Sequence, residues 1–194
     1  MIERIQQIAR ESIEAKRAFF DSHSDKVARA AGVIIDSIKS GGKVLIFGNG
    51  GSAADAQHIA AELVNRLNYD RAPIAAIALT TDTSILTSVG NDYSFDELFE
   101  RQLRALGRAG DVAIAISTSG NSPNVLRAVD AAREIGVATV GLTGRKGGRL
   151  AAAVDVALVV EAESTQRIQE THITIGHILC EMIEEELFPK EGEG

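Results

Sequence analysis

Hydrophobic positions fall into two regimes along the chain. Over the first 40 residues they recur at helical spacing. Ile2, Ile5, Ile8, Ile13 and Phe20 form one stripe, and Val27, Ala30, Ala31, Ile34 and Ile38 a second. Asp21-Ser22-His23-Ser24 stands between them, with Ser24 a suitable N-cap, so the pattern predicts two helices, the second ending at Gly41-Gly42. Beyond that point short apolar runs alternate with helical stretches. The runs are Val44–Phe47, Ile74–Leu79, Val112–Ile116, Ala138–Leu142 and Val156–Val160. Each has the length of a buried strand and lacks polar alternation. Helical periodicity covers about 52–67, 82–106 with a break near Gly90, 122–135, a short piece at 147–153, and a closing helix from about Ser164 to Phe188. Strands alternating with helices predict right-handed crossovers and a parallel sheet covered on both faces. The expected fold class is α/β: a three-layer sandwich around a five-stranded parallel sheet. One domain is expected over 1–194, with a helical region at 1–40, a sheet core at 43–160 and a C-terminal helix at 164–188. Residues 190–194 read as a frayed tail.

Composition narrows the function classes. The 194 residues, 45% of them hydrophobic, suffice for one well-buried domain. No apolar run approaches the ~20 residues of a membrane-spanning helix, and the charged N-terminal stretch has no signal-type apolar segment. A single cysteine, Cys180, excludes an internal disulfide framework and fits a reducing cytoplasm. A net charge of −7 argues against non-specific nucleic-acid binding, and 4% aromatic residues with no Trp leave little for base stacking. A small anionic ligand remains open, because local backbone amides can bind it.

In parallel α/β folds ligands sit at the carboxyl ends of the strands, and those ends can be read directly. After the first strand comes Gly48-Asn49-Gly50-Gly51-Ser52-Ala53, then a helix. Glycines let the backbone approach a ligand, and the helix start offers free N–H groups. The segment also fits G-x-G-x-x-A, a dinucleotide-binding pattern that is weak alone. After the third strand, Ser117-Thr118-Ser119-Gly120-Asn121-Ser122-Pro123-Asn124 runs into another helix. Its hydroxyls and the helix dipole make a phosphate cradle that needs no lysine. A serine N-cap alone would need only one hydroxyl. After the second strand, Thr80–Ser84 reads as a helix cap. Asn91 and Asp92, in a polar turn, suit sugar hydroxyls, although Asx residues form caps and turns without any ligand.

Two otherwise apolar helices carry polar stripes. In the helix after the glycine loop, Asp55, His58 and Glu62 recur at spacings of three and four. His58 and Glu62 point the same way and can ligate one metal or share one substrate; alone, they read first as a surface pair. The last helix carries Gln169, Glu170, His172 and His177, half of the chain's four histidines. Gln169 and His177 lie about 80° apart on the helical wheel, while Glu170 aligns better with His177. Spacing does not choose between Gln169 and Glu170.

Together these residues resemble the phosphoheptose isomerases, sugar-isomerase (SIS) domain proteins of flavodoxin-like fold. The resemblance rests on Gly-Lys-Val-Leu-Ile-Phe-Gly-Asn-Gly-Gly-Ser at 42–52, Gln57-His58 with Glu62, and Val-Gly-Asn-Asp-Tyr at 89–93. It continues through Gly-Asp-Val at 110–112, Ile-Ser-Thr-Ser-Gly-Asn-Ser at 116–122, Leu-Thr-Gly at 142–144, and Arg-Ile-Gln-Glu-Thr-His at 167–172 with His177. It spans nearly the whole chain; the serine loop is general to SIS domains, and Glu62 with His177 is specific to the isomerase branch. The resemblance implies that Ser117, Thr118, Ser119 and Ser122 hold a phosphate and that Asn49, Gly50, Gly51, Ser52, Asn91 and Asp92 contact the sugar. It implies one zinc ion per subunit on His58, Glu62, Gln169 and His177, with Gln169 and Glu62 also touching substrate and Glu62 and His177 the catalytic pair. Where some relatives have an acidic residue this chain has Gln166.

The implied reaction interconverts sedoheptulose 7-phosphate and D-glycero-D-manno-heptose 7-phosphate through an enediol(ate), the first step toward activated heptose for lipopolysaccharide core or other surface glycans. Glu62 would be the base and His177 its acid/base partner. A carboxylate held by zinc is a poorer base, so Glu62 either leaves the metal or keeps one oxygen free. The terminal helices, about 2–20 and 164–188, are long for one flanked sheet and predict a homo-oligomer with active sites at interfaces, where otherwise they would only cap the sheet of a monomer. The resemblance implies a homotetramer, and composition a cytoplasmic protein with no nucleic-acid or membrane partner. The rival readings are a non-catalytic SIS module that senses a sugar phosphate or binds a replication-initiator protein, an isomerase for another sugar phosphate, and a nucleotide-binding domain. Glu62 and His177 oppose the first, and the second anion loop opposes the last.

Overall fold

A computed structural model describes residues 1–190; the part of the expected tail beyond Lys190 lies outside the described residues. Five parallel strands form one sheet in the order β2-β1-β3-β4-β5: β1 (Val44–Gly48), β2 (Ala76–Ala78), β3 (Val112–Ser117), β4 (Ala138–Gly144) and β5 (Val156–Val160). Every residue of β1 and β3 is buried, which is why those runs carry no polar alternation. Alternate residues feed two cores. Val44, Ile46, Ile114 and Leu142 face α1 (Ile2–Lys39), α2 (Gly51–Val64) and α7 (Thr165–Leu187). Leu45, Phe47, Ala113 and Ala115 face the other layer, α3 (Thr83–Asp92), α4 (Leu98–Leu106), α5 (Pro123–Glu134) and α6 (Gly148–Ala153). This is the expected three-layer sandwich.

Three local expectations are corrected. Residues 2–39 form one helix rather than two. No Gly or Pro interrupts residues 2–31, and the Ser24 hydroxyl, instead of capping a new helix, donates to the Phe20 carbonyl one turn back at 2.6 Å. The break in the 82–106 stretch falls after Asp92, through a 3-10 turn at Phe95–Glu97, while Gly90 stays helical. The edge strand β2 keeps only three of its six expected residues. It pairs with β1 on one side alone, and Ile77 is partly exposed.

The strand order reverses direction between β1 and β3. A parallel sheet opens a crevice at that point, beyond its carboxyl ends. The two loops singled out in the sequence, β1–α2 and β3–α5, flank it.

Candidate active site

Gly50 turns the chain from β1 into α2 at φ 58°, ψ −120°, a conformation open to glycine and closed to residues with a Cβ. No side chain caps α2; the amides of Ser52, Ala53 and Ala54 turn back onto the Asn49 and Gly50 carbonyls, which leaves the Gly51 amide for a ligand. Ser52 is buried in that turn. α5 likewise has no side-chain cap. Ser122 occupies the N-cap, yet its hydroxyl lies 2.9 Å from Ser117 Oγ rather than on a helix amide. Ser119 Oγ is 3.4 Å from Ser117 Oγ and accepts from the Asn121 amide. The serines are thus gathered around an uncapped helix start, with half-buried Thr118 among them; a plain N-cap would have looked different.

Asn49 and Asn124 tie the two loops together. Each side-chain amide donates to the other's carbonyl oxygen at 2.9 Å, and Asn124 is buried. Sequence reasoning gave Asn124 no role: a polar residue at the second position of a helix carries no sign of the partner it will meet.

The polar stripes meet where α2 crosses α7. His58 Nε2 lies 2.9 Å from His177 Nε2 and 3.5 Å from Glu62 Oε1. One ligand atom from each residue lies within 4.8 Å of the others. The crossing is close because Gly176 lacks a side chain: a Cβ there would stand 2.7 Å from Ile59 Cδ1. Gln169 also faces α2, its amide against Gly51. Glu170 turns away and accepts from Arg167 at 2.6 Å, while Arg167 donates to the Ile8 carbonyl of α1. The structure therefore separates the two residues that spacing left equal.

Asp55, third member of the α2 stripe, has a buried Oδ2 without a hydrogen-bond partner. Burial raises its carboxyl above the ordinary value, and neighbouring His58 partly offsets this. Cys180, one turn beyond His177, is a protonated thiol, pushed up to about 12 by burial and by the charge of Glu62. The cluster thus offers two imidazoles and a carboxylate without a thiolate, a set that suits a divalent cation with positions left open.

The remaining polar residues make local contacts. Asp82 caps α3 through the Ile85 amide. Asn91 and Asp92 sit exposed in the last turn of α3, bonded to each other at 2.7 Å. The structure does not bring them into the hydrogen-bonded loops. Gln166 accepts from Ser164 at the start of α7. His172 is wholly buried and bonds the Thr143 carbonyl, a core histidine rather than a ligand.

The sheet is doubly wound with a serine-rich loop at its switch point, and residues 8–144 match the family model of the SIS domain. The phosphoheptose isomerase of Aquifex aeolicus is 55% identical over 95% of this chain and 97% of its own. The solved phosphoheptose isomerase of Neisseria gonorrhoeae is 48% identical, covers 94% of this chain and 98% of its own, and superposes with a TM-score of 0.90. That of Francisella tularensis is 37% identical with a TM-score of 0.92, over 95% of this chain and 98% of its own. The chain belongs to the phosphoheptose isomerase family.

Proposed function

We propose that this chain is an aldose–ketose isomerase interconverting sedoheptulose 7-phosphate and D-glycero-D-manno-heptose 7-phosphate, the entry step to activated heptose. The observation that carries the reading is the convergence of Glu62 and His177 from two different helices, in a fold whose serine loop is built for an anion. Ser117, Thr118, Ser119 and Ser122, with the Asn124 amide in the first turn of α5, hold the phosphate. Asn49, Gly50, Gly51 and Ser52 line the approach to the sugar, and Asn91 and Asp92 meet its hydroxyls once substrate is bound. Anchoring the phosphate fixes the reacting end and lowers the entropic part of the barrier.

Glu62 takes a proton from C1 of the ketose while the C2 carbonyl oxygen is protonated, giving the 1,2-enediol. Glu62 then returns a proton to C2 as the C1 hydroxyl loses its own. His177 carries the proton between the two oxygens. His58 and His177 turn ring nitrogens toward each other at 2.9 Å, and Glu62 adds an oxygen, so these residues fit a divalent cation. We assign zinc to them, one per subunit, with Gln169 as the fourth ligand and a second contact to substrate. When bound, such an ion polarises a carbonyl and stabilises developing negative charge on oxygen. The lone buried thiol supports a cytoplasmic location. Apolar residues exposed on the first half of α1 support a homotetramer.

Proton NMR of the protein with sedoheptulose 7-phosphate tests the reaction. Wild type is expected to generate aldose anomeric signals and Glu62→Gln to lose at least about a hundredfold in rate, the range for removing a positioned base. An unchanged rate in Glu62→Gln removes the base assignment. No turnover by wild type, with or without zinc, removes the reaction itself and leaves a module that only binds.

A further inference from the structure

The loop that follows α2 returns an arginine to the end of the helix it has just left. Arg71 Nη1 donates to the carbonyls of Leu63, Asn65 and Ala72 at 2.7, 3.3 and 3.1 Å, and Nη2 donates to the Glu62 carbonyl at 2.8 Å. Glu62, Leu63 and Asn65 lie at the end of α2, where carbonyls lose their intrahelical partners, and α2 has no basic residue in its last turn to serve them; Leu63 also accepts from the Ile74 amide, and Ala72 belongs to the loop itself. The remaining donor, Nε, reaches Glu184 Oε1 on α7 at 3.0 Å. Glu184 also accepts from the amides of Leu67 and Asn68 at 3.1 and 2.8 Å. Both side chains are essentially removed from solvent.

The placement connects this pair to the reacting groups. Arg71 grips the main chain of Glu62 itself. Glu184 stands seven residues beyond His177, two turns further along nearly the same face of α7, about 10 Å along the helix axis. The contact of Gly176 with Ile59 closes the α2–α7 crossing at its centre, and the ion pair closes it at one end. An ion pair this buried is a weak source of stability, since desolvation offsets its attraction; it does fix geometry. Lysine in place of arginine could not serve four carbonyls and a carboxylate in one fork.

We propose that Arg71 and Glu184 are positioning residues, a clamp that sets the α2–α7 distance and thereby holds Glu62 and His58 in register with His177. The proposal rests on the isomerase reading for its kinetic consequence, but its geometric consequence at the histidine pair is independent of substrate. The phosphate loop hangs from β3 and α5, outside the clamp, so anchoring and chemistry should separate when the clamp is loosened.

The test uses the full chain with two variants, Glu184→Gln and the apolar pair Arg71→Met with Glu184→Leu. Thermal midpoint, kcat, KM for sedoheptulose 7-phosphate, inhibition by inorganic phosphate, and zinc affinity measured with zinc alone against a colorimetric chelator are compared with wild type. Folded variants are expected to lose about tenfold or more in kcat, as displacement of a reacting group does, with KM and phosphate inhibition within about twofold. Zinc affinity is expected to fall about tenfold, the usual cost of losing a group that orients ligands. Wild-type kcat and zinc affinity in a folded variant overturn the proposal, as does a rise in KM alone. Loss of the fold in Glu184→Gln overturns it too, because the pair would then determine the fold rather than the crossing. If wild type itself yields no aldose, the proposed reaction fails while the zinc measurement still judges the clamp.

Discussion

His172 donates from Nε2 to the Thr143 carbonyl at 3.0 Å and leaves Nδ1 buried without a partner. Burial disfavours the charged ring and lowers its pKa from 6.5 to about 4, with the Thr143 bond opposing. Between those values the unfolded chain binds a proton that the folded chain refuses. The contribution is therefore intact above 6.5 and drains away as pH falls toward 4, by about 3 kcal/mol in all. Glu184 titrates lower. Burial acts to raise its carboxyl, but the amides of Asn68 and Leu67 and the Arg71 guanidinium outweigh this and hold it below the ordinary value. Its contribution is present above the ordinary carboxylate value and is lost only as pH falls through the depressed folded value. Urea unfolding at a series of pH values separates the two. Wild type is expected to weaken across the histidine window, and His172→Gln, which keeps an amide donor for Thr143, to stay level there. A wild-type midpoint that does not move above the carboxylate range would remove the assignment.

The α2–α7 crossing is where single residues become a site, and Gly176 sets its closeness. Valine at that position would drive its branches into Ile59, whose Cδ1 and Cγ1 already lie 2.7 and 2.8 Å from an added Cβ. Overpacking of this kind costs about 1–3 kcal/mol, and here it also pushes His58 from His177. Gly176→Val is expected to lower the thermal midpoint and to reduce kcat more than it raises KM; unchanged kinetics would mean that the crossing tolerates the displacement. Much of this crossing was legible in the sequence. The three-and-four spacing of Asp55, His58 and Glu62 put them on one face, and the apolar positions of α7 left a polar stripe containing His177. The Gln169–Glu170 ambiguity was not legible, because adjacent residues diverge by about 100° on a helix and only the neighbouring helices decide which side is which. Arg71, Glu184 and Asn124 were opaque for a related reason. Their partners are distant carbonyls, amides and a second asparagine, and no local period marks a polar residue that will be buried. At 21–24 the polar residues suggested a break, but with no Gly or Pro among them they were absorbed by the helix.

At the scale of the molecule, α1 presents an unusual face. It is 38 residues long, about 57 Å at the helical rise, yet its buried residues begin only at Phe19. Ile2, Ile5 and Ile13 are 72%, 60% and 66% exposed. Beside them a groove of about 720 Å³ runs between Gln7–Ala18 and residues 161–167, larger than the cleft of about 260 Å³ at Gly48-Asn49-Gly50. Isoleucines repeated along one side of a helix are costly to leave in water, roughly 1.5–3 kcal/mol for each that a partner could cover. The proposed tetramer covers them, with α1 of one subunit packed against α1 of another in the self-complementary way of a two-fold interface. Light scattering on the purified protein should give four times the mass of one chain. Ile5→Asp with Ile13→Asp places two charges on the stripe without touching the sheet, the serine loop or the α2–α7 crossing. It is expected to shift the mass toward smaller species while helix content survives. If active sites lie at the interfaces, turnover falls with the mass and recovers as protein concentration rises; if each subunit is self-sufficient, specific activity stays flat while the assembly dissociates. A wild-type mass of one chain across the accessible concentration range would leave the stripe unexplained and remove the tetramer.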